Sequence, residues 1–342
     1  MKKVKIGNRI VGEDAPPFFS IEEGQANWGH FKTALKMVDL AAEAGADGID
    51  FQLARADDFY IKNHPEYESY RQREFSDDQL RTLVAYIRQS GLEMIVTPLS
   101  HRVIQPLAEA GCSAFNVNAS DLTNPDIIDA VVETGLSFFL SLPLAVEEEI
   151  DWAVNRVLKK GAKRFILMHG QHTMASGENG VKVRDTALGY ISILKEKYDV
   201  LVGFIDHTPL QWMPACATAA GADVISKHLT WSREVKGPDW HICLEPGEMK
   251  EAIQWVKQIN RSMKIREKCL APGEDHDRSL MRRSIVAARK VLEGQKIKRE
   301  DICFKRPGDG FDPSRYEEIV GKASIRNISP DEKIDLSDVK DQ

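Results

Sequence analysis

The sequence predicts an α/β fold, a TIM (β/α)8 barrel followed by a small, mostly-β domain. Three observations predict it. Short apolar runs alternate with amphipathic stretches from residue 17 to about residue 260, glycine recurs directly after the amphipathic stretches, and the composition shifts beyond residue 260. Candidate strands lie at 18–22, 48–52, 93–97, 114–117, 137–141, 164–169, 201–205 and 224–228. Each is four to six residues long, rich in Ile, Val, Leu and Phe, and bounded by Gly, Asp or Pro. That is the pattern of strands buried on both faces of a parallel sheet.

The stretches between them carry helical periodicity. In 30–44, Phe31, Ala34, Leu35, Val38 and Ala42 fall on one stripe, as a helix packed on one side requires. Similar stretches occupy 77–89, 125–133, 146–159 and 186–196. Gly45, Gly91, Gly111, Gly135, Gly161 and Gly221 stand where helices end, matching the left-handed residue that closes a helix. The phrase AGAD occurs at 44–47 and 220–223, each time between a helix and a strand. Eight such units have the size and rhythm of a TIM barrel; a doubly wound open sheet is the alternative, and it does not usually need eight. The barrel is expected over 1–260, a polar linker over 261–278 and the small domain over 279–342, with strand-like runs at 284–287, 302–305 and 322–325.

Composition narrows the function classes. The 342 residues, 42% hydrophobic and 29% charged, are those of an ordinary globular protein. A net charge of −6 argues against a broad basic nucleic-acid surface. No apolar run approaches a membrane span, and the first residues lack the apolar core of a signal peptide, so the expected location is cytoplasmic. Cys112, Cys216, Cys243, Cys269 and Cys303 are scattered and form no CxxC pair, consistent with free thiols in a reducing compartment.

A barrel enzyme builds its site at the carboxyl ends of its strands. Those ends carry Glu22, Glu23, Asp50, Gln52, Thr97, Asn116, Asn118, Ser141, His169, Asp206, His207 and His228. His207 and His228 sit on neighbouring strands, where two imidazoles can share a divalent ion with carboxylates or water completing its shell. Asp206 is a further candidate ligand or a support for His207, and His169 is a weaker third ligand. The turns GPDW at 237–240 and KRPGDG at 305–310 are ordinary loops by composition, though Arg306 has the chemistry to bind a carboxylate or phosphate bidentately.

With these residues in place, the chain resembles the sialic acid synthases along nearly its whole length. The shared wording is SDLTN at 120–124, IDHT at 205–208, SKHLT at 226–230, GPD…LEP at 237–246, RRS at 282–284 and KRPG at 305–308. The resemblance implies a TIM barrel joined to an antifreeze-like (SAF) domain that swaps across a homodimer. It implies a transferase that joins phosphoenolpyruvate, a three-carbon donor, to an N-acylated sugar aldehyde and yields a nonulosonic acid. In that pattern His207 and His228 are manganese ligands, and Glu22 is the acidic residue near the end of the first strand. Gln52 and Asp239 hold the acceptor sugar, and Thr97 and Ser141 belong with the substrate-binding residues. Arg306 matches the arginine that the partner's antifreeze-like domain sets over the sugar's N-acyl group.

The chain departs from the family pattern on the donor side. AEIGxNH reads IEEGQAN at 21–27, the lysine of KFQ is Asp50, and the lysine and serine of KIGSGD are Asn116 and Ala119. The serine of SDHT is Ile205, and LSTGM reads LSLPL, with Ser141 kept. Burying a phosphate and a carboxylate requires compensating cations or donors, and two lysines lost with Asp50 gained shift the local charge by about three units. Three readings follow: a divergent synthase, a metal-dependent aldolase or lyase using a less anionic donor such as pyruvate, or a non-catalytic sugar-binding relative. A Schiff-base aldolase would need Lys227, which strand alternation points away from the face of His228.

Overall fold

The computed structural model describes residues 2–12, 15–173, 180–264 and 267–341. They form two compact units, Met1–Lys264 and Ile265–Gln342.

The first unit opens with a hairpin of β1 (Val4–Ile6) and β2 (Arg9–Val11). Eight strands then close into a parallel barrel: β3 (Phe18–Glu22), β4 (Gly48–Leu53), β5 (Glu93–Pro98), β6 (Ala114–Val117), β7 (Ser137–Ser141), β8 (Phe165–Gly170), β9 (Leu201–Asp206) and β10 (Val224–His228). Neighbours follow chain order, and β10 pairs with β3 to complete the circle. Closure excludes the open doubly wound sheet and gives the expected TIM barrel. Helices Phe31–Ala44, Asp77–Gln89, Pro125–Glu133, Glu147–Lys159 and Tyr190–Tyr198 correspond to the five amphipathic stretches. Helices Ile104–Ala110, Met213–Ala219 and Pro246–Met263 complete the outer layer. Gly45 closes the first helix at φ 82°, a conformation that costs a residue with a Cβ about 1–2 kcal/mol.

Strand alternation divides the barrel residues into two sets. Phe19, Ile21, Ile49, Phe51, Val96, Phe115, Leu140, Leu167, Phe204 and Ile225 belong to the large core between strands and helices. Phe18, Ile95, Ala114, Phe139, Ile166, Met168 and Val224 point inward and form a separate apolar plug with Val4, Ile6 and Val11 of the hairpin. One inward step further along, the residues become polar: Ser20, Asp50, Thr97, Asn116, Ser141 and Ser226, all buried. The plug therefore fills the amino-terminal end of the barrel and leaves the carboxyl end to chemistry.

In the second unit β11 (Ser284–Ala287) pairs antiparallel with β12 (Ile302–Lys305), and β13 (Ala323–Ser324) with β14 (Val339–Lys340). Ile285, Val291, Ile297, Ile302, Ile319, Ile328 and Ile334 make its core. The run expected at 322–325 shortens to two residues, and part of the polar stretch 261–278 is helical, within Pro246–Met263 and Glu274–Met281.

Candidate active site

The last residues of β3 and β10 are register partners, Glu22 beside His228. His228 Nε2 lies 3.4 Å from Glu22 Oε2. On the other side, Ser226 Oγ donates to Glu22 Oε1 at 2.5 Å. His207, the residue after β9, brings its ring centroid within 5.4 Å of the His228 ring. His172, from the loop after β8, stands 4.7 Å from the His207 ring. Burial, reinforced by His228 and His172, holds His207 well below the ordinary imidazole value, so the ring is neutral and has a lone pair to offer. His207 Nδ1 and His228 Nδ1 are both buried without a hydrogen-bond partner among the described residues. Gly24, at φ 58°, faces His228 Nδ1; a Cβ there would stand 2.7 Å from it. Two orphaned imidazole nitrogens and a glycine that leaves one of them room suit a divalent ion. No three His, Cys, Asp or Glu groups converge at ligand spacing among the described residues. The set therefore fits an ion held by two imidazoles, with water or substrate supplying the other positions.

Across the barrel, Thr97 Oγ1 lies 2.9 Å from both Asp50 oxygens. Asn116 Nδ2 donates to Asp50 Oδ2 at 3.0 Å, and Ser141 Oγ donates to Asn116 Oδ1 at 2.7 Å. These four residues, on four successive strands, make one closed network. Burial first, and the charge of Glu22 second, push the Asp50 carboxyl up to about 7.

The loop after β3 is shaped by Glu23, whose carboxylate accepts from Gln25 N at 3.0 Å and Asn27 N at 2.5 Å. Burial pushes its carboxyl up to about 7. Gln52 is half-buried at the end of β4, in a small pocket with Gln25, Asn27, Arg55 and Arg73. Asp239 lies in the GPDW turn at φ 54° and lines a second small pocket with His172, His207 and His241. Arg306 belongs to the second unit, follows β12 and is exposed.

Two sequence candidates face the wrong way. His169 is on the outer face of β8, where its Nε2 donates to Thr186 O at 3.1 Å and Ala187 O at 3.0 Å. Asp206 is also on the outer face, paired with Lys227 at 2.9 Å. The strict two-residue period of a strand explains both: His207 and His228 point in, so Asp206 and Lys227 point out. The Schiff-base lysine is excluded on the same ground. His172 was missed because it lies in a loop, where no periodicity marks a residue. Ser226 was legible, two residues before His228 on the same face.

The residues over 37–268 match the model of the NeuB family, and those over 282–340 match the SAF domain. An uncharacterized protein of Methanocaldococcus jannaschii is 31% identical over 334 residues, 98% of this chain and 97% of that one. The N,N'-diacetyllegionaminic acid synthase of Campylobacter jejuni is 28% identical, over 92% of this chain and 97% of its own length. Among solved structures, the N-acetylneuraminic acid (sialic acid) synthetase of Leptospira borgpetersenii, in complex with citrate, superposes with a TM-score of 0.73 at 27% identity. That match covers 81% of this chain and 95% of the other. With a family model spanning more than half of its length, the chain belongs to the NeuB family.

Proposed function

We propose that this chain is an enzyme that joins a three-carbon donor to an N-acylated sugar aldehyde, forming a carbon–carbon bond and giving a nonulosonic acid. The observation that carries the reading is the pair of imidazoles, His207 and His228, whose buried Nδ1 atoms have no hydrogen-bond partner among the described residues, beside the Glu22 carboxylate at the barrel mouth. A divalent ion on that pair, manganese first, supplies Lewis-acid polarisation of a carbonyl. Glu22 is positioned to move a proton: Ser226 fixes one carboxylate oxygen, and the other faces His228. Gln52 and Asp239, at the mouth, are assigned to the acceptor sugar. The reading also takes the chain to be a homodimer, and among the described residues no helix is long and apolar enough to cross a membrane.

The test is a calorimetric titration of the metal-stripped full chain with Mn2+, alone and then with N-acetylmannosamine. Stoichiometric Mn2+ binding that disappears in both His207→Ala and His228→Ala, with sugar binding tighter in the loaded protein, is the expected result. Mn2+ binding that survives both substitutions sinks the metal assignment and with it the proposed chemistry.

A further inference from the structure

At the other end of the barrel, a cavity of about 500 Å³ opens between the turn of the β1–β2 hairpin and the amino-terminal ends of β5, β6, β7 and β8. Four of the side chains around it are cations: Lys5, Arg9, Arg88 and Arg164. Glu93 is the one carboxylate among the described lining residues, and both of its oxygens are taken. Asn8 N donates to Oε1 at 2.8 Å and Ser113 Oγ to Oε2 at 2.6 Å. Arg9 is paired with Asp47 at 3.1 Å. Arg88 and Arg164 instead donate to backbone carbonyls, Arg88 Nη2 to Gly111 O at 3.0 Å and Arg164 Nη2 to Gly135 O. Each bond engages one nitrogen of the guanidinium and leaves the rest of the fork unused. Gly111 makes room for this arrangement, since a Cβ there would stand 2.4 Å from Arg88 Nη2. The hairpin side is equally fixed: Ser137 Oγ donates to Lys5 O at 2.6 Å, and Gly7, at φ 54°, sits where a Cβ would overlap the Glu93 carboxylate. Lys5, Arg88 and Arg164 thus stand around one concavity with no carboxylate paired to them among the described residues, in a chain whose net charge is −6. Like charges held together in this way repel one another, and a bound anion relieves the repulsion.

We propose that this cavity is a second binding site, for a phosphorylated small molecule that carries at least two negative charges. Guanidinium forks match phosphate oxygens bidentately, and two or more charges answer the three unpaired cations, where a single carboxylate would leave two of them unmatched. The volume falls in the range of small-molecule sites and exceeds what a phosphoryl group fills. Val84, Leu92 and Leu136 give the organic part of such a ligand an apolar wall. The inference does not depend on the reaction proposed above, because the apolar plug of the barrel separates this cavity from the carboxyl-end site. Contact with Lys5 and the hairpin turn would also fasten the hairpin, whose Val4, Ile6 and Val11 belong to that plug. A ligand bound there stabilises the folded chain, since the unfolded chain has no such cavity to offer.

The probe is inorganic pyrophosphate, titrated by calorimetry into the full chain without added Mn2+, with citrate as a comparison of similar charge. Stoichiometric pyrophosphate binding is expected, tighter than that of citrate and accompanied by a higher melting temperature. Arg88→Gln and Arg164→Gln should each weaken it by about tenfold, the worth of a charge-assisted hydrogen bond. Both side chains are exposed, and an unchanged circular dichroism spectrum shows that the variants fold. Lys5→Gln, which breaks no ion pair among the described residues, should weaken binding in the same direction. His207→Ala combined with His228→Ala, at the opposite end of the barrel, should leave the affinity within about twofold of the parent. Absence of binding at millimolar pyrophosphate overturns the site. Binding that the arginine substitutions leave unchanged, or that the histidine substitutions abolish, puts the anion elsewhere and overturns it as well. Citrate binding as tight as that of pyrophosphate overturns the phosphoryl class of the ligand.

Discussion

Lys227 and Asp206, each with no exposed side-chain surface, form an ion pair 2.9 Å long on the outer face of the barrel. They are register partners on β10 and β9, each one residue from the histidines that point inward. Lys227 Nζ also donates to Thr208 O, and Thr208 N donates to Asp206 Oδ1 at 2.8 Å. The pair therefore holds the turn that carries His207. Removing one partner strands the other charge away from water, which costs about 3–5 kcal/mol. At roughly 2–4 °C per kcal/mol for a domain of this size, Lys227→Met should lower the melting temperature by about 10 °C. The double variant Asp206→Leu, Lys227→Met should recover most of the loss. A single variant melting within a degree or two of the parent by calorimetry would show that the pair contributes little.

Asp50 and Glu23 should each make stability fall as pH rises toward neutrality. Asp50 moves from its ordinary 3.8, and Glu23 from 4.5, to about 7 in the folded chain. Between those values the folded state holds protons that the unfolded state has released. The stabilisation is therefore complete below pH 4 and lost by the time pH passes 7. Each group contributes a slope of up to about 1.4 kcal/mol per pH unit. Urea unfolding of the metal-free chain from pH 5 to 8 should show the decline, and Asp50→Asn or Glu23→Gln should flatten it. The buried neutral imidazoles of His207, His169 and His172 act in the opposite sense up to their ordinary 6.5, so the test is the difference from the variants: a slope that neither substitution changes would mean that both carboxyls are ionised throughout.

The barrel was legible because its strands are apolar on both faces, so 18–22 or 224–228 stands out against any neighbouring sequence. The β1–β2 hairpin was not: three residues such as Val4–Ile6, with a lysine between two aliphatics, carry no more signal than a loop. The inward polar set was half-visible. His207 and His228 could be placed on adjacent strand ends by counting, but which side each residue faces depends on where its strand begins. That is why His169 and Asp206 were grouped with them. The Asp50–Thr97–Asn116–Ser141 network depends on the stagger between four strands, and stagger leaves no mark in the sequence of any one of them.

His169 tests the inside–outside assignment directly. Its ring is buried against the segment before helix Tyr190–Tyr198, bridging two carbonyls, and burial holds its pKa below the ordinary value. His169→Leu removes the shared donor and should cost about 1–3 kcal/mol. Mn2+ affinity, read by calorimetry on the folded variant, should stay within twofold of the parent. A loss of metal binding comparable to that in His207→Ala would place His169 in the ion's coordination shell and contradict its outward orientation.

Gly24 offers the sharpest probe of the proposed metal pair, because it contributes no side chain at all. Its φ of 58° is strained for any residue with a Cβ, and the added carbon would stand 2.7 Å from His228 Nδ1 and 3.2 Å from Cε1. The strain alone costs about 1–2 kcal/mol. The clash has to be relieved by the imidazole, which is enclosed between Glu22 and the loop, or by the loop, which Glu23 ties through Gln25 and Asn27. Either shift displaces the orphaned Nδ1 of His228, whose ring centroid lies 5.4 Å from that of His207. Gly24→Ala should therefore weaken Mn2+ binding by at least tenfold, while melting only a few degrees below the parent. Gly135→Ala, at φ 67° with nothing within 4 Å of its Cβ, carries the same backbone strain without the clash. If the two variants lose stability equally and both keep full Mn2+ affinity, the imidazole is not held in place by the missing Cβ, and the two-histidine site needs a different geometry.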